Sequence, residues 1–306
     1  MICFRYRSGM DLRHFRYFLA VAEELNFRRA AERLNMAQPP LSSQIHDLER
    51  EIGVSLFRRV PKGAELTEAG VAFLAEVPAV FEQVERAVGM AQRGGRGEVG
   101  RLRVGYTGST TFNEIVPESL RKFRRAFPDV ELALDELNSV VLIDRLLHQR
   151  LDAAFIRPGK EPPANVNVLP LPSESMMVAV SSEHRLAGRY AVELSELEGE
   201  PMVLFSRALG SAFYDEIIQS CREAGFEPRI EQVAPQILSI ANLVAAEIGV
   251  SIVPERVAAA AVAGVSYLPI KGIAPVARIA LATRIDDRSV ITKNFRTLVQ
   301  QTVRRA

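Results

Sequence analysis

Two consecutive prolines, Pro39 and Pro40, stand between two stretches that both carry helical periodicity. A proline pair fits a helix only in its first turn, where the missing N–H leaves no bond unmade. The chain must therefore end one helix, turn, and start another within a few residues. Upstream, Ala30, Ala31 and Leu34 recur three and four apart on one face, with Arg28, Arg29 and Arg33 elsewhere on the surface. Downstream, Leu41, Ile45, Leu48 and Ile52 repeat at helical spacing until Gly53 stops the pattern. Gln38, Pro39 and Pro40 then open the second helix, and Ser42, Ser43 and Gln44 point outward from its start. A recognition helix enters the major groove by that turn, where small hydroxyl and amide groups reach phosphates and base edges. The helix pattern alone also fits an ordinary αα-hairpin with a polar outer face.

The residues that follow favour DNA. Leu56-Phe57-Arg58-Arg59, the turn Pro61-Lys62-Gly63 and Glu65-Leu66-Thr67 read as two short strands with a basic tip, the wing of a winged helix. Arg58, Arg59 and Lys62 are suited to lie along phosphates or reach a minor groove. A net charge of +1 rules out a broad polycationic surface but permits a local patch, and the arginines at 28, 29, 33, 58 and 59 supply one.

Beyond the wing, Thr67 is a cap for a helix in which Val71, Leu74, Phe81, Val84 and Val88 recur at threes and fours, with Pro78 inside the pattern to bend it. That stripe suits a dimer seam holding two winged helices at a set spacing, or packing back onto the winged helix of its own chain. Arg93-Gly94-Gly95-Arg96-Gly97-Glu98-Val99-Gly100 is a glycine-rich break and the expected hinge. Strands then read at 102–106, 130–134, 153–156, 177–180, 202–205, 230–233 and 251–253, with helices between most of them. The expectation is an α/β fold with parallel sheets, in two subdomains joined by two crossings. Subdomain I would take about 101–171 and 273–306, and subdomain II about 172–272.

Ligands in such folds bind where loops leave the carboxyl ends of strands. Ser109 and Thr110 follow the first strand, Ser139 precedes a helix beginning near Val140, Ser206, Ser211 and Phe213 follow a later strand, and Arg157 ends another. An arginine there can hold a carboxylate by two parallel hydrogen bonds, or bridge the subdomains. The serines can equally be helix caps.

Leu12-Arg13-His14-Phe15-Arg16-Tyr17-Phe18, Ala30-Ala31, Gln38-Pro39-Pro40-Leu41-Ser42-Ser43-Gln44-Ile45, Leu48-Glu49, Leu56-Phe57-Arg58-Arg59 and Thr67-Glu68-Ala69-Gly70 keep one order and spacing. In these segments the chain resembles the LysR-type transcriptional regulators. The resemblance implies a ligand-responsive homotetramer that binds double-stranded promoter DNA. Its parts would be a winged helix-turn-helix over 10–67, a linker and dimerisation helix over 68–92, a hinge over 93–100 and a periplasmic-binding-protein-like sensor over 101–306. Gln38-Pro39-Pro40-Leu41-Ser42 also resembles the branch that controls aromatic catabolism and senses muconate or benzoate. The inducer's carboxylates in that branch are held at places that fall on Ser109, Ser139, Ser211 and Phe213. The chain departs from the branch at Ser43, where arginine is frequent. Family members usually begin near Met10, so residues 1–9 are expected to be an alternative start or a disordered arm.

Composition bounds the rest. At 306 residues, 48% hydrophobic and 25% charged, with no membrane-length apolar run and no leader pattern, the chain reads as cytoplasmic. Cys3 and Cys221 cannot make a disulfide framework, and a redox switch at Cys221 competes with a simple buried thiol. The four histidines lack ligand spacing, so no metal or cofactor is expected. An enzyme or transport-type binding protein is the alternative reading of the α/β half. It lacks a Gly-x-Ser-x-Gly elbow, a phosphate loop and an export leader.

Overall fold

The computed structural model describes residues 10–159, 161, 165–234 and 236–305. Cys3 and the expected arm over 1–9 lie outside them. The described residues form two units, one ending at Ala91 and the other beginning at Gln92.

In the first unit, Asp11 opens α1 (Leu12–Glu24): its carboxylate accepts from Arg13 N–H at 2.7 Å, and its own N–H donates to His14 Nδ1 at 3.0 Å. Asn26 caps α2 (Phe27–Arg33) by accepting from the N–H groups of Arg28 and Arg29. The prolines fall in the first turn of α3 (Gln38–Ile52), and Gly53, at φ 87°, ends it in the left-handed conformation. Ala30, Ala31, Leu41, Ile45 and Leu48 bury their periodic face against Phe15, Phe18 and Val21 of α1. The antiparallel pair β1 (Phe57–Val60) and β2 (Gly63–Leu66) turns at Pro61-Lys62 and sets Arg58 opposite Glu65. Its tip is clamped to the end of α1, where Ala64 N–H donates to Leu25 O at 2.8 Å.

Thr67 Oγ1 accepts from Gly70 N–H at 3.0 Å at the start of α4 (Glu68–Gly95). The apolar stripe of α4 divides. Phe73 and Val77 pack into the winged helix, with the Phe73 ring 4.8 Å from that of Phe18, whereas Val71, Val88 and Met90 stay exposed. The segment expected as a hinge is helical through Gly95. It is then tied down by an Arg96–Glu98 ion pair and by Asn294 Nδ2, which donates to Arg96 O at 2.9 Å.

The second unit contains two sheets. Strands β3 (Gly100–Tyr106), β4 (Val130–Glu136), β5 (Ala153–Ile156) and β6 (Val166–Pro170) alternate with α5 (Ile115–Ala126) and α6 (Ser139–Leu147). The chain then crosses to β7 (Met176–Ser181), β8 (Val192–Glu193), β9 (Pro201–Phe205), α7 (Ser211–Glu223), β10 (Arg229–Ala234), α8 (Ile237–Ala245), β11 (Ser251–Pro254) and β12 (Val265–Lys271). It returns to β13 (Ala280–Arg284) and α9 (Val290–Val303). The first sheet has the order β4-β3-β5-β13-β6, and the second runs β11-β7-β12-β8, with the β10-β9 pair joined to it through Met202 and Val250.

The expected parallel sheets are mixed. β13 is antiparallel to β5 and β6, and β7 to β11 and β12. The two crossings, over 171–175 and 272–279, are themselves antiparallel, with the Glu174 and Ala277 backbones exchanging bonds of 3.0 and 3.1 Å. A chain returning by such a route enters the first sheet against its neighbours.

Cys221 is fully buried inside α7, and burial pushes its thiol up to about 11. Near neutral pH it is therefore a protonated thiol, the wrong state for a nucleophile. A Cys3→Ser variant, leaving Cys221 as the sole thiol, is expected to resist a disulfide thiol reagent at pH 8 until denaturant is added. Rapid native labelling would contradict this.

Candidate functional site

Two surfaces collect the candidate residues, one in each unit. In the first, Gln38, Pro39, Pro40 and Ser43 are exposed at the start of α3, with Ser42 and Gln44 half-exposed beside them. The cations expected as a patch are largely paired. Arg28 bonds Glu32 at 3.1 Å, Arg29 bonds Glu24 at 2.7 Å, Arg33 pairs with Glu23, and Arg58 reaches across the wing to Glu65 at 2.5 and 2.8 Å. Cross-strand register, which puts Arg58 opposite Glu65, makes the last pair. Exposed pairs of this kind contribute little to stability, so phosphates can take their arginines over at small cost. Arg59 lies over the Phe27 ring at 5.7 Å, an aromatic platform that sets its direction, and Lys62 stands exposed at the tip.

In the second unit, a cleft of about 380 Å³ opens between the carboxyl ends of strands from the two sheets. Its polar floor is built around Arg157, just past β5. The Arg157 backbone N–H donates to Ser139 Oγ at 3.1 Å, Nε donates to Ser109 Oγ at 2.9 Å, and Nη2 donates to Ser109 O at 2.9 Å and Glu174 at 3.1 Å. Glu174 also accepts from Asn113 Nδ2 at 2.8 Å. Arg157 and Glu174 are both buried. Burial lowers the guanidinium pKa while the charge and hydrogen bond of Glu174 raise it. Nη1 is buried too, and no described residue accepts from it.

The apolar wall comes from Phe205 and Phe213, whose rings stack at 5.4 Å, together with Phe112, Leu137 and Leu209. The Arg157 guanidinium sits 5.1 Å from the Phe213 ring centroid. Ser109, Ser139, Arg157 and Phe213 are thus brought together.

Three expected members do not line the cleft. Thr110 is turned inward by the short helical turn Gly108–Thr110, and its hydroxyl donates to Thr107 O at 2.8 Å. Ser206 caps the next turn by accepting from Ala208 N–H at 3.3 Å. Ser211 is the first residue of α7, where Gly210 and Phe213 face the cleft instead. Ser139 is no cap: Asn138 Oδ1 takes that role by accepting from Val141 N–H at 3.0 Å. Arg157 is already engaged by Glu174 and Ser109, so only Nη1, itself covered in this conformation, remains uncommitted.

Sequence reasoning missed Glu136, Asn138, Phe205 and Glu174. Asn138 was signalled by its place before a helix, whereas Glu174 carries no local signal because its partners come from distant segments. Among the described residues no cluster of His, Cys, Asp or Glu is placed to hold a metal, and no helix is long and apolar enough to cross a membrane.

Both halves of the chain match known families. Residues 12–71 match the bacterial regulatory helix-turn-helix protein, lysR family, and residues 95–304 match the LysR substrate binding domain. The HTH-type transcriptional regulator AlsR of Bacillus subtilis (strain 168) is 36% identical over 286 residues, covering 94% of each chain. BudR of Raoultella terrigena, also an HTH-type transcriptional regulator, is 35% identical over 286 residues, covering 94% of this chain and 99% of its own. Among solved structures, full-length CbnR complexed with its target DNA matches with a TM-score of 0.81 and 30% identity, covering 96% of this chain and 100% of that one. These relatives are regulators and not enzymes, and with a DNA-reading fold at one end and a ligand-binding fold at the other this chain belongs to the LysR family of ligand-responsive, DNA-binding transcriptional regulators.

Proposed function

We propose that a small carboxylate bound in the cleft changes how an oligomer of this regulator is arranged on promoter DNA. The observation that carries the reading is the buried Arg157 Nη1, a charged donor with no acceptor among the described residues, beside the hydroxyls of Ser109 and Ser139. An unpaired buried donor is costly, and a ligand carboxylate would satisfy it by a charge-assisted bond. The stacked phenyl wall suits an aromatic acid such as benzoate, and muconate belongs in the same first screen. Because an effector shifts an equilibrium only by its differential affinity, a cleft between two lobes is a natural place for that difference to arise.

On this reading residues 10–67 bind DNA, 68–92 link and dimerise through the exposed Val71, Val88 and Met90, 93–100 connect, and 101–306 sense the ligand. Two such dimers make a homotetramer that works in the cytoplasm. The first turn of α3, through Gln38, Pro39, Pro40, Ser42, Ser43 and Gln44, enters a major groove, while Arg28, Arg58, Arg59 and Lys62 contact phosphate or an adjacent minor groove.

In anisotropy titrations on upstream DNA, Arg59→Ala and Lys62→Ala are each expected to lower the slope of log K against log salt by about one, the signature of one lost phosphate contact. Ser42→Ala should weaken binding with little change of slope. Unchanged slopes would remove Arg59 and Lys62 from the interface.

A thermal-shift screen of the full chain tests the cleft. At one hundred times its dissociation constant a ligand adds roughly 2.7 kcal/mol of stability, and Ser109→Ala or Ser139→Ala should abolish most of that shift without lowering basal DNA affinity. Loss of DNA affinity as well would make these serines structural.

A further inference from the structure

The cleft has a second polar end that a bare carboxylate does not use. Glu136, the last residue of β4, lines it and lies beside Gly108, so close that a Cβ on that glycine would stand 2.7 Å from Glu136 Oε1. Its neighbour Asp135 is paired with Arg145 at 2.9 Å, whereas no described residue donates a hydrogen bond or an ion pair to the Glu136 carboxylate. The charge balance of the cleft follows. Arg157 is matched internally by the buried Glu174, and Glu136 adds an unmatched negative charge at the lining.

We infer that the effector is a small acid that also carries a hydrogen-bond donor, a hydroxyl or an ammonium group, which Glu136 accepts while Arg157 Nη1, Ser109 and Ser139 hold the carboxylate. This rests on the carboxylate reading above and narrows it. An ionised carboxylate only accepts hydrogen bonds, so it pairs with donors and repels a second carboxylate. The unsubstituted acid leaves Glu136 with water as its only donor, and a dicarboxylate such as muconate brings like charge towards it. The skeleton between the two groups runs along Phe205, Phe213 and Leu209 and is therefore short and apolar.

Matched probes on the full-length protein read the inference by calorimetric titration. The sets are benzoate, 3-hydroxybenzoate, 3-aminobenzoate and isophthalate, and butyrate, 3-hydroxybutyrate, 4-aminobutyrate and succinate. A hydrogen bond to a charged group predicts a hydroxy or amino acid binding about ten- to a hundredfold tighter than its parent, with the diacid weakest. Glu136→Ala, at an exposed position, should erase that preference. Glu136→Gln keeps an acceptor but loses the charge, so a preference that survives it identifies the hydroxyl and one that disappears identifies an ammonium.

Parent acids or diacids binding best, no binding by any donor-bearing probe at 10 mM concentration (roughly the weak limit of a specific site), or an undiminished donor preference in Glu136→Ala would each overturn the inference. Failure of the underlying cleft reading is a different result, in which a bound acid is indifferent to Ser109→Ala and Ser139→Ala.

Discussion

Glu174→Ala is expected to cost the sensor about 3–5 kcal/mol, because it strands the buried Arg157 guanidinium. Both side chains of the pair are nearly inaccessible, at 3% and 4% exposure. Nη1 already lacks an acceptor, and the variant would remove the only carboxylate that answers the charge from within the described residues. Asn113 would lose its acceptor at the same time. For a unit of this size the loss corresponds to a fall in melting temperature of roughly 10 °C. With no tryptophan in the chain, far-ultraviolet circular dichroism or calorimetry is the suitable probe. Removing both charges together, in Glu174→Leu with Arg157→Met, should recover much of the loss, since a buried pair replaced by apolar groups is often neutral. A single variant within about 1 kcal/mol of the parent would mean that water reaches Arg157 and that the pair is no strut.

That pair also marks where the sequence stops being informative. Local chemistry was legible: the proline pair and Gly53 bound α3, and four consecutive buried residues, Ala153 to Ile156, form β5 over the span read from their pattern. β13 was missed because Ala280 and Ala282 have little strand propensity and are held by β5 and β6 on either side. β12 was missed because Pro269 argues against an inner strand. Within the cleft, the loops were legible but the facing residue in each was not. Whether Ser109 or Thr110 looks into the cleft depends on the phase of one short turn, the hydroxyl at 206 is drawn off as a turn cap, and Ser211 opens α7 outside the cleft lining. Glu174 reaches Asn113 across 61 residues of sequence, and only the paired crossings bring it there.

Gly63→Val should separate the two activities of the chain by disabling the wing alone. Gly63 has φ 151°, a conformation that a β-branched residue is strained to adopt, and a Cβ there would lie 2.3 Å from the carbonyl oxygen of Leu25. The opposing atom is backbone at the end of α1, so it cannot swing aside as a side-chain tip would. Overpacking and backbone strain together cost about 2–5 kcal/mol, and the cheapest escape is to lift the hairpin away from α1, breaking the bond from Ala64 N–H to Leu25 O. Arg59 would then leave the Phe27 ring and Lys62 would lose its fixed place at the tip, so the two cations proposed for phosphate contact become mobile. DNA affinity at moderate salt should fall by about tenfold or more, with a shallower salt dependence. Ligand binding should be untouched, because Arg157, Ser109 and Ser139 belong to a unit with its own hydrophobic cores. Retention of full operator affinity by Gly63→Val would show that the hairpin accommodates a side chain without moving its cations, and the wing would then have no part in holding DNA.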